Sequence, residues 1–550
     1  MEQARMFIAI GLSFLVFFVW QYFFVEPQPP AQTADKHAES VADPSQTASV
    51  EQKSVAPPLA LPAPDEIPVQ RNARKITIST PLYRTVISEK GAVFTSFVLK
   101  DYRESMGAGS LQKELIVPEI GQGNFTIGFD QNTVSGMKDA VFSLDVESAE
   151  ITVSDRPHIL NFTWVSPTGM SVHKRYTFSP DSYRIGLDLT VNNPSEQAFQ
   201  ARPYLSILHP VANKKQTYGF EGPSALIDGK LHEVSVKNIP DQNTLQGRIA
   251  WVALQDRYFM ASIIPEEELD AVMRLALVGD GIVEAQYLGP EVVVVPGTQK
   301  SIAYSLFMGP KNIQILKSIG HELSRAIDFG MFDFIAKPLV WLLNFIYGFI
   351  PNYGVAIIIL TIITKILLWP LGNKSYKSMN EMKKLQPLMA EIREKHKNDK
   401  KKMNEEVMGL YKTYKINPVG GCLPMVAQIP IFFALYQMLY QAIELRHAPF
   451  FLWIDDLSAP DRLFDFNFSI PFMDPPYGIP VLTIIMGATM FLQQKMSPPP
   501  GDPTQAKMMM FLPLVFTVIF INFSSGLVLY WLVNNVLSIA QQYYISKKYT

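Results

Sequence analysis

Cysteine is almost absent: Cys422 is the only one in 550 residues. That excludes an internal disulfide framework and any cysteine-built zinc site. No cysteine lies near the N-terminus, so a lipid anchor there is excluded too. The GxxxxGK[ST] run of phosphate-cradling loops does not occur, which leaves no nucleotide site. Charge bias is missing as well. With a formal net charge of −2, bulk electrostatics names no partner, and nothing points to direct recognition of nucleic acid. His158, His173, His209, His232 and His321 are scattered singly, the pattern of surface or core histidines. No metal site, cofactor or catalytic constellation emerges, so an enzyme is not expected.

What is present is apolar and unevenly spread. Met6 to Val25 follows Arg5 and holds about 20 apolar or aromatic residues, enough to cross a bilayer. A cleaved signal peptide would have a shorter core and small residues at its end. Here the run closes on Tyr22-Phe23-Phe24-Val25, so residues 1–25 are expected to be an uncleaved anchor. Residues 26–72 are rich in Pro, Ala, Ser, Gln and acids and cannot bury enough surface to fold. They read as a linker.

From Arg74 the apolar residues recur with period two, as in 75-KITIST, 125-FTIGFD, 141-VFSLDVESAEITVS and 185-IGLDLTVNN. Over 73–311 this predicts a large antiparallel β-sandwich. Near residue 312 the period lengthens. Ile315, Ile319, Leu323 and Ala326 share one helical face, and Leu339–Ile350, between Pro338 and Pro351, is too short to span. Residues 312–353 are therefore expected to be an amphipathic region lying in the membrane interface.

Five further apolar segments follow: Gly354–Leu371, Gly421–Gln441, Ile479–Gln494, Met508–Phe523 and Gly526–Ile545. With the anchor they make a polytopic α-helical membrane protein of six transmembrane helices. The connector Lys374–Lys415 holds eleven lysines and Arg393 against six acids, a cytoplasmic signature. Both termini are then cytoplasmic and the β-domain lies outside. Within the connector, Met382, Leu385, Met389, Ile392 and His396, then Met403, Val407, Leu410 and Tyr414, recur at helical spacing on either side of 397-KNDKK. This predicts an antiparallel helical hairpin over 374–415. Lys383, Lys384, Met389, Arg393 and Tyr411 are its candidate capture residues, although a solvated helix face obeying the positive-inside rule explains the lysines better than a docking face does.

In 357-IIILTIITKILLWPL one residue, Lys365, is charged. A central lysine costs about 2.5–3.5 kcal/mol on insertion, and each neighbouring aliphatic returns roughly 0.3–0.6, so the helix can insert. The ammonium still needs water or a partner, and no proposed span contains Asp or Glu. The spans carry neutral polar groups instead. Thr361 precedes Lys365 by one turn. Tyr530, Asn534, Ser538 and Gln541 form a stripe, with Trp531, Asn535 and Gln542 beside it. Gln428, Gln437 and Gln441 mark the second of the five segments. Singly, each suits hydrogen bonding between helices. Together with Lys365 they suit a hydrated groove, since intramembrane ionisable groups mark function.

The stretches 417-NPVGGCLPMVAQIPIFFALYQML, 444-ELRHAPF, 452-LWIDDLS, 486-MGATMF, 494-QKMSP and 525-SGLVLYWLVNN closely resemble the YidC/Oxa/Alb membrane-protein insertases. The large β-domain and uncleaved first span are similar to the Gram-negative form. The resemblance implies a five-helix insertase core over 354–550, with a groove open to cytoplasm and lipid, in the bacterial inner membrane. It implies nascent membrane proteins as clients, alone or with the Sec translocon. Ribosome–nascent chain complexes follow less directly, because the chain ends at Thr550 without the longer basic tail of some relatives. The family's groove arginine matches Lys365, a departure, since lysine loses its proton more readily than arginine. Its client-contacting threonine and last-span aromatic match Thr361 and Trp531; that aromatic is commonly tyrosine. The family's β-domain is similar to sugar-mutarotase sandwiches. Two other classes compete: an ion-coupled transporter using Lys365 as a relay, and a membrane-anchored periplasmic carbohydrate-binding protein.

Overall fold

The computed structural model describes residues 72–549 apart from 108, 117–120, 122, 131–135, 211–219, 280, 398, 415–422 and 498–502. The expected anchor over 1–25, the linker up to residue 71 and Cys422 lie outside the described residues.

Period-two patterning becomes strands where it was strongest. Arg184–Asn193 buries Ile185, Leu187, Leu189 and Val191 on one face, as alternation in a pleated strand requires. Each such side chain contributes about 1.5–3 kcal/mol on full burial. That strand pairs antiparallel with Thr298–Pro310, from Arg184↔Phe307 to Asn193↔Thr298, within a 13-stranded sheet. A second sheet has five strands. The two are joined through a shared apolar core and by polar bonds: the Tyr176 hydroxyl donates to Ala92 O at 3.0 Å, and Lys174 Nζ to Gly91 O at 2.6 Å. Gly91 is required there, because its φ is +70° and a Cβ would lie 2.8 Å from Lys138 O.

Two sequence expectations change. Residues 141–154 do not form one strand; Ser143–Leu144 joins the large sheet and Glu150–Thr152 the small one. The second of these pairs parallel with Lys75–Ser79, so the sandwich is not wholly antiparallel.

After Pro310 the chain is mostly helical. α1 (Ile313–Ile319) is capped by Asn312, whose Oδ1 accepts from Gln314 N at 2.9 Å and Ile315 N at 3.1 Å. It stops at Gly320, where φ is +86°, and a 3₁₀ turn covers Leu323–Ala326. The single amphipathic helix expected over 312–326 is therefore two short pieces that bury Leu316, Ile319, Leu323 and Ala326. α2 (Asp333–Phe349) starts ahead of Pro338 and contains it. With the preceding turn it runs 20 residues from Gly330, long and apolar enough to cross a membrane. This corrects the expectation that the segment is too short, which treated Pro338 as a boundary. Its buried face is Ala336, Val340, Leu343 and Ile346, and Phe334, Trp341, Phe345 and Phe349 are exposed.

α3 (Tyr353–Lys384) is one helix of 32 residues, about 48 Å at 1.5 Å per residue. It carries the apolar run straight into the lysine-rich connector. The hairpin proper is thus α4 (Gln386–Lys395) and α5 (Lys400–Thr413), and the break at Leu385 falls just before Pro387, a residue suited to a first helical turn. α6 (Leu423–Gln441), α7 (Val481–Met496), α8 (Pro503–Phe520) and α9 (Ser525–Tyr549) complete the fold. Among the described residues only α2 with its preceding turn and α3 meet a length-and-hydropathy criterion for spanning. α9 packs against α3 and α7, and α7 against α8.

The β-domain and the helices meet through named contacts. The Arg257 guanidinium lies 3.6 Å from the Tyr440 ring centroid, and its Nε donates to Tyr440 O at 2.7 Å. Arg446 Nη2 donates to Arg103 O at 2.5 Å. Within the helical part, Asn312 Nδ2, at the start of α1, donates to Glu444 Oε1 at 3.0 Å, and Asn344 Nδ2 of α2 does so at 3.4 Å.

Candidate functional site: the α3–α9 seam

The helical register of α3 places Lys365 toward α9. Its Nζ donates to Ser538 Oγ at 2.6 Å and to Asn534 Oδ1 at 3.3 Å. An ammonium has three protons, and among the described residues only these two groups accept from it. Ser538 sends its own proton to Asn534 O at 2.6 Å, so its lone pairs face the lysine. Asn534 Oδ1 also accepts from Gln428 Nε2 of α6 at 3.0 Å, and the buried Tyr530 hydroxyl is hydrogen-bonded with Gln428. Lys365, Gln428, Tyr530, Asn534 and Ser538 therefore form one cluster where three helices meet. Every partner is neutral. Among the described residues no carboxylate compensates the charge of the half-buried Lys365, and a cation withdrawn from water is costly unless hydrogen-bonded or hydrated.

The polar seam continues along α9. Gln541 Nε2 donates to Asn373 Oδ1 at 3.0 Å and to Trp369 O at 3.3 Å. Gly372 permits this approach, since a Cβ there would lie 2.7 Å from Gln541 Nε2. Tyr376 of α3 lies in hydrogen-bond contact with Ser538 and with Gln493 of α7, and Asn535 Nδ2 donates to Thr489 Oγ1 at 3.3 Å. Sequence reasoning missed Tyr376, Asn373 and Gln493. A signal was available: Lys365, Trp369, Gly372 and Tyr376 follow one another at 3–4 spacing, which puts them on one face.

Two predicted residues sit apart from the cluster. Thr361 is buried, and its hydroxyl donates to Ile357 O at 2.6 Å, within its own helix. Trp531 packs into an aromatic group, its ring centroid 4.7 Å from Phe432, 4.9 Å from Phe520 and 6.4 Å from Phe516. One residue further along α9 than Tyr530, it has rotated by about 100° toward α6 and α8. Of the residues predicted for the hairpin, Lys383 and Lys384 lie at the exposed end of α3, and Arg393 of α4 is half-buried. Met389 is buried, and Tyr411 is half-buried with its hydroxyl 3.5 Å from Met389 Sδ. Those two meet across the hairpin.

Residues 345–550 match a family model described as 60Kd inner membrane protein, and residues 75–342 match one described as YidC periplasmic domain. A membrane protein insertase YidC of Syntrophus aciditrophicus is 41% identical over 554 residues, covering 98% of this chain and 99% of its own. Its counterpart in Citrifermentans bemidjiense is 42% identical over 550 residues, covering 99% of both. A solved structure of an active YidC insertase aligns over 86% of this chain and 93% of its own, with 19% identity and a TM-score of 0.39.

Proposed function

The chain belongs to the YidC family of membrane protein insertases, and from that premise we propose how its own residues perform insertion. It is an inner-membrane protein with a periplasmic domain that inserts membrane proteins. α3, α6, α7, α8 and α9 form the five-helix core and, with the N-terminal anchor, make six spans with both termini in the cytoplasm. Clients arrive from the ribosome or beside the Sec translocon. A nascent hydrophobic segment slides along the α3–α9 seam while its polar flank shares the seam's water.

The observation that carries this reading is the Lys365 ammonium held, among the described residues, by the neutral oxygens of Ser538 and Asn534 alone. Neutral acceptors leave its charge uncancelled, and at reduced dielectric that charge acts more strongly than in water. A client carboxylate or carbonyl can exchange with Asn534 and return. Hydrophobic burial of the client in lipid then releases it and drives the step. Tyr530 and Gln428 keep Asn534 oriented. The basic surface formed by the end of α3, with Lys383 and Lys384, and by the hairpin, with Arg393, meets the client first.

Photoreactive side chains placed at Gln428, Tyr530 and Asn534 test the route. Stalled nascent chains should crosslink there during insertion and not after release. Crosslinking confined to the exposed faces of α7 and α8, with none at the seam, would sink the proposal.

A further inference from the structure

The connector between α6 and α7 holds an unusual concentration of strain. Of nine described non-glycine residues with positive φ, four lie in it: His447, Leu452, Phe464 and Phe472. The last three have φ of +59°, +63° and +64°, a region bulky side chains rarely adopt. They are also 87%, 67% and 80% exposed. Phe468, 63% exposed, stacks on Phe466 with ring centroids 5.3 Å apart.

These residues do not belong to a loose loop. Asp461 accepts from Leu482 N at 2.7 Å and from the Thr483 hydroxyl at 3.1 Å, tying the connector to the start of α7. Arg462 donates to Pro476 O at 2.8 Å and to Ile521 O at 2.9 Å. Asn522, in the α8–α9 turn, donates to Phe472 O at 3.1 Å and accepts from Asp474 N at 2.8 Å. The connector is thus pinned by polar bonds on its inner side, with strained apolar residues turned outward. Strain persists where the surroundings over-determine it and marks functional sites. Exposure of a large aromatic to water adds a second cost. Nothing in the described chain offsets either.

We propose that Leu452, Phe464, Phe468 and Phe472 insert into the outer leaflet of the bilayer as an apolar collar around the periplasmic end of the core. Continuity supports lipid as the occupant. The connector leads directly into α7, whose Ile484, Ile485, Phe491 and Leu492 are exposed, and it is bonded to the end of α8, where Val518 and Ile519 are exposed. α7 has 16 residues, about 24 Å, short of the roughly 30 Å hydrocarbon layer. The collar extends that apolar surface where the helix runs out. Asp465, between Phe464 and Phe468, and Asp474, two residues after Phe472, are both exposed and give anionic headgroups no electrostatic attraction, so insertion is hydrophobic and independent of salt. The inference rests on the family reading of the β-domain end as periplasmic.

The test uses the full chain in phosphatidylcholine nanodiscs. In a Cys422→Ser background that still inserts clients, nitroxide labels are placed at Phe464→Cys, Phe468→Cys and Phe472→Cys, with exposed Ser148→Cys in the β-domain as the aqueous reference. Collisions with oxygen should exceed collisions with a water-soluble nickel chelate at the three connector sites, with chelate access several-fold below that at Ser148, in low and high salt alike. Chelate access equal to that at Ser148 overturns the proposal. So does protection that requires added client, and so does dipolar broadening that disappears on dilution, which identifies a second copy as the occupant. Orientation is read separately, from the side of sealed vesicles on which chelate reaches Ser148.

Discussion

Lys365 of α3 donates to Ser538 of α9 at 2.6 Å across a sequence separation of 173 residues, and Ser538 hands its own proton to Asn534 O at 2.6 Å. The seam is thereby wired to present positive charge. Lys365→Arg should be nearly silent, because guanidinium keeps the charge and is more weakly hydrated. Lys365→Glu should be worst, since it repels acidic client segments. Lys365→Ala should fall between. Loss of one charge-assisted contact, about 1.5–3 kcal/mol, sets a scale of roughly tenfold or more slower insertion of acidic-tailed clients. Insertion rates of acidic-tailed and neutral-tailed clients check the order. Equality of Ala and wild type for both classes makes the lysine a passenger.

Trp531 is surrounded by Phe432, Phe516 and Phe520, so truncation should first be felt as stability. Trp531→Ala is expected to cost about 3–5 kcal/mol, as deletion of a packed aromatic does. Trp531→Phe should retain most of both stability and insertion. Thermal denaturation in detergent alongside an insertion assay separates the roles. A stable Ala variant that fails to insert assigns Trp531 to the client.

Insertion should survive loss of the β-domain, because the polar seam is built by α3, α6, α7 and α9 alone. Joining the anchor to residues from 312 onward keeps Asn312 on Glu444 but removes Arg257 from Tyr440 and Arg103 from Arg446. The truncated protein should insert clients at near-normal rates with a lowered Tm. Complete loss of activity in a folded truncation contradicts this.

The hairpin has little to pack on but itself. Met389 meets Tyr411, and His396 meets Glu406 at 2.9 Å. Elements with few buried contacts open at low free energy, so amides over Lys383–Tyr414 should exchange quickly. Protection equal to that of α9 is the opposing result.

Glu444 carries a pH prediction. Burial raises its carboxyl above the ordinary value, against the opposing effect of hydrogen bonds that include the one from Asn344. A raised folded-state pKa favours the protonated form. Its stabilising share is complete below the unfolded value and is lost as pH rises through the folded one. Glu444→Gln keeps an acceptor for Asn312 without the charge. Relative to wild type it should gain Tm as pH rises from 4 toward 8, and a pH-independent difference would falsify this.

Much was legible without coordinates because it is local. Period two over Arg184–Asn193 declares a half-buried strand in any context. The lysines of 374–415 carry the expectation of a cytoplasmic connector, and motifs such as 525-SGLVLYWLVNN carry the family. The sequence also marked Lys365 and the α9 stripe, since helical spacing follows from 3.6 residues per turn. Helix boundaries were less legible. Pro338 and Pro370 look like breaks, yet both lie inside helices, while Gly320 ends one because its φ of +86° leaves helical geometry.

Tertiary packing alone decided which polar groups meet. The partners of Lys365 lie 169 and 173 residues away; helical spacing groups Asn534 with Ser538, and only packing turns that stripe toward Lys365. A rotation of one residue on α9 sends Tyr530 to the seam and Trp531 to an aromatic cluster. The docking of Arg257 on Tyr440, 183 residues apart, is likewise invisible to periodicity. Periodicity reports which face of an element avoids water. Which neighbour that face receives depends on how helices and sheets distant in sequence pack, and the energy of a buried polar group is set by that neighbour.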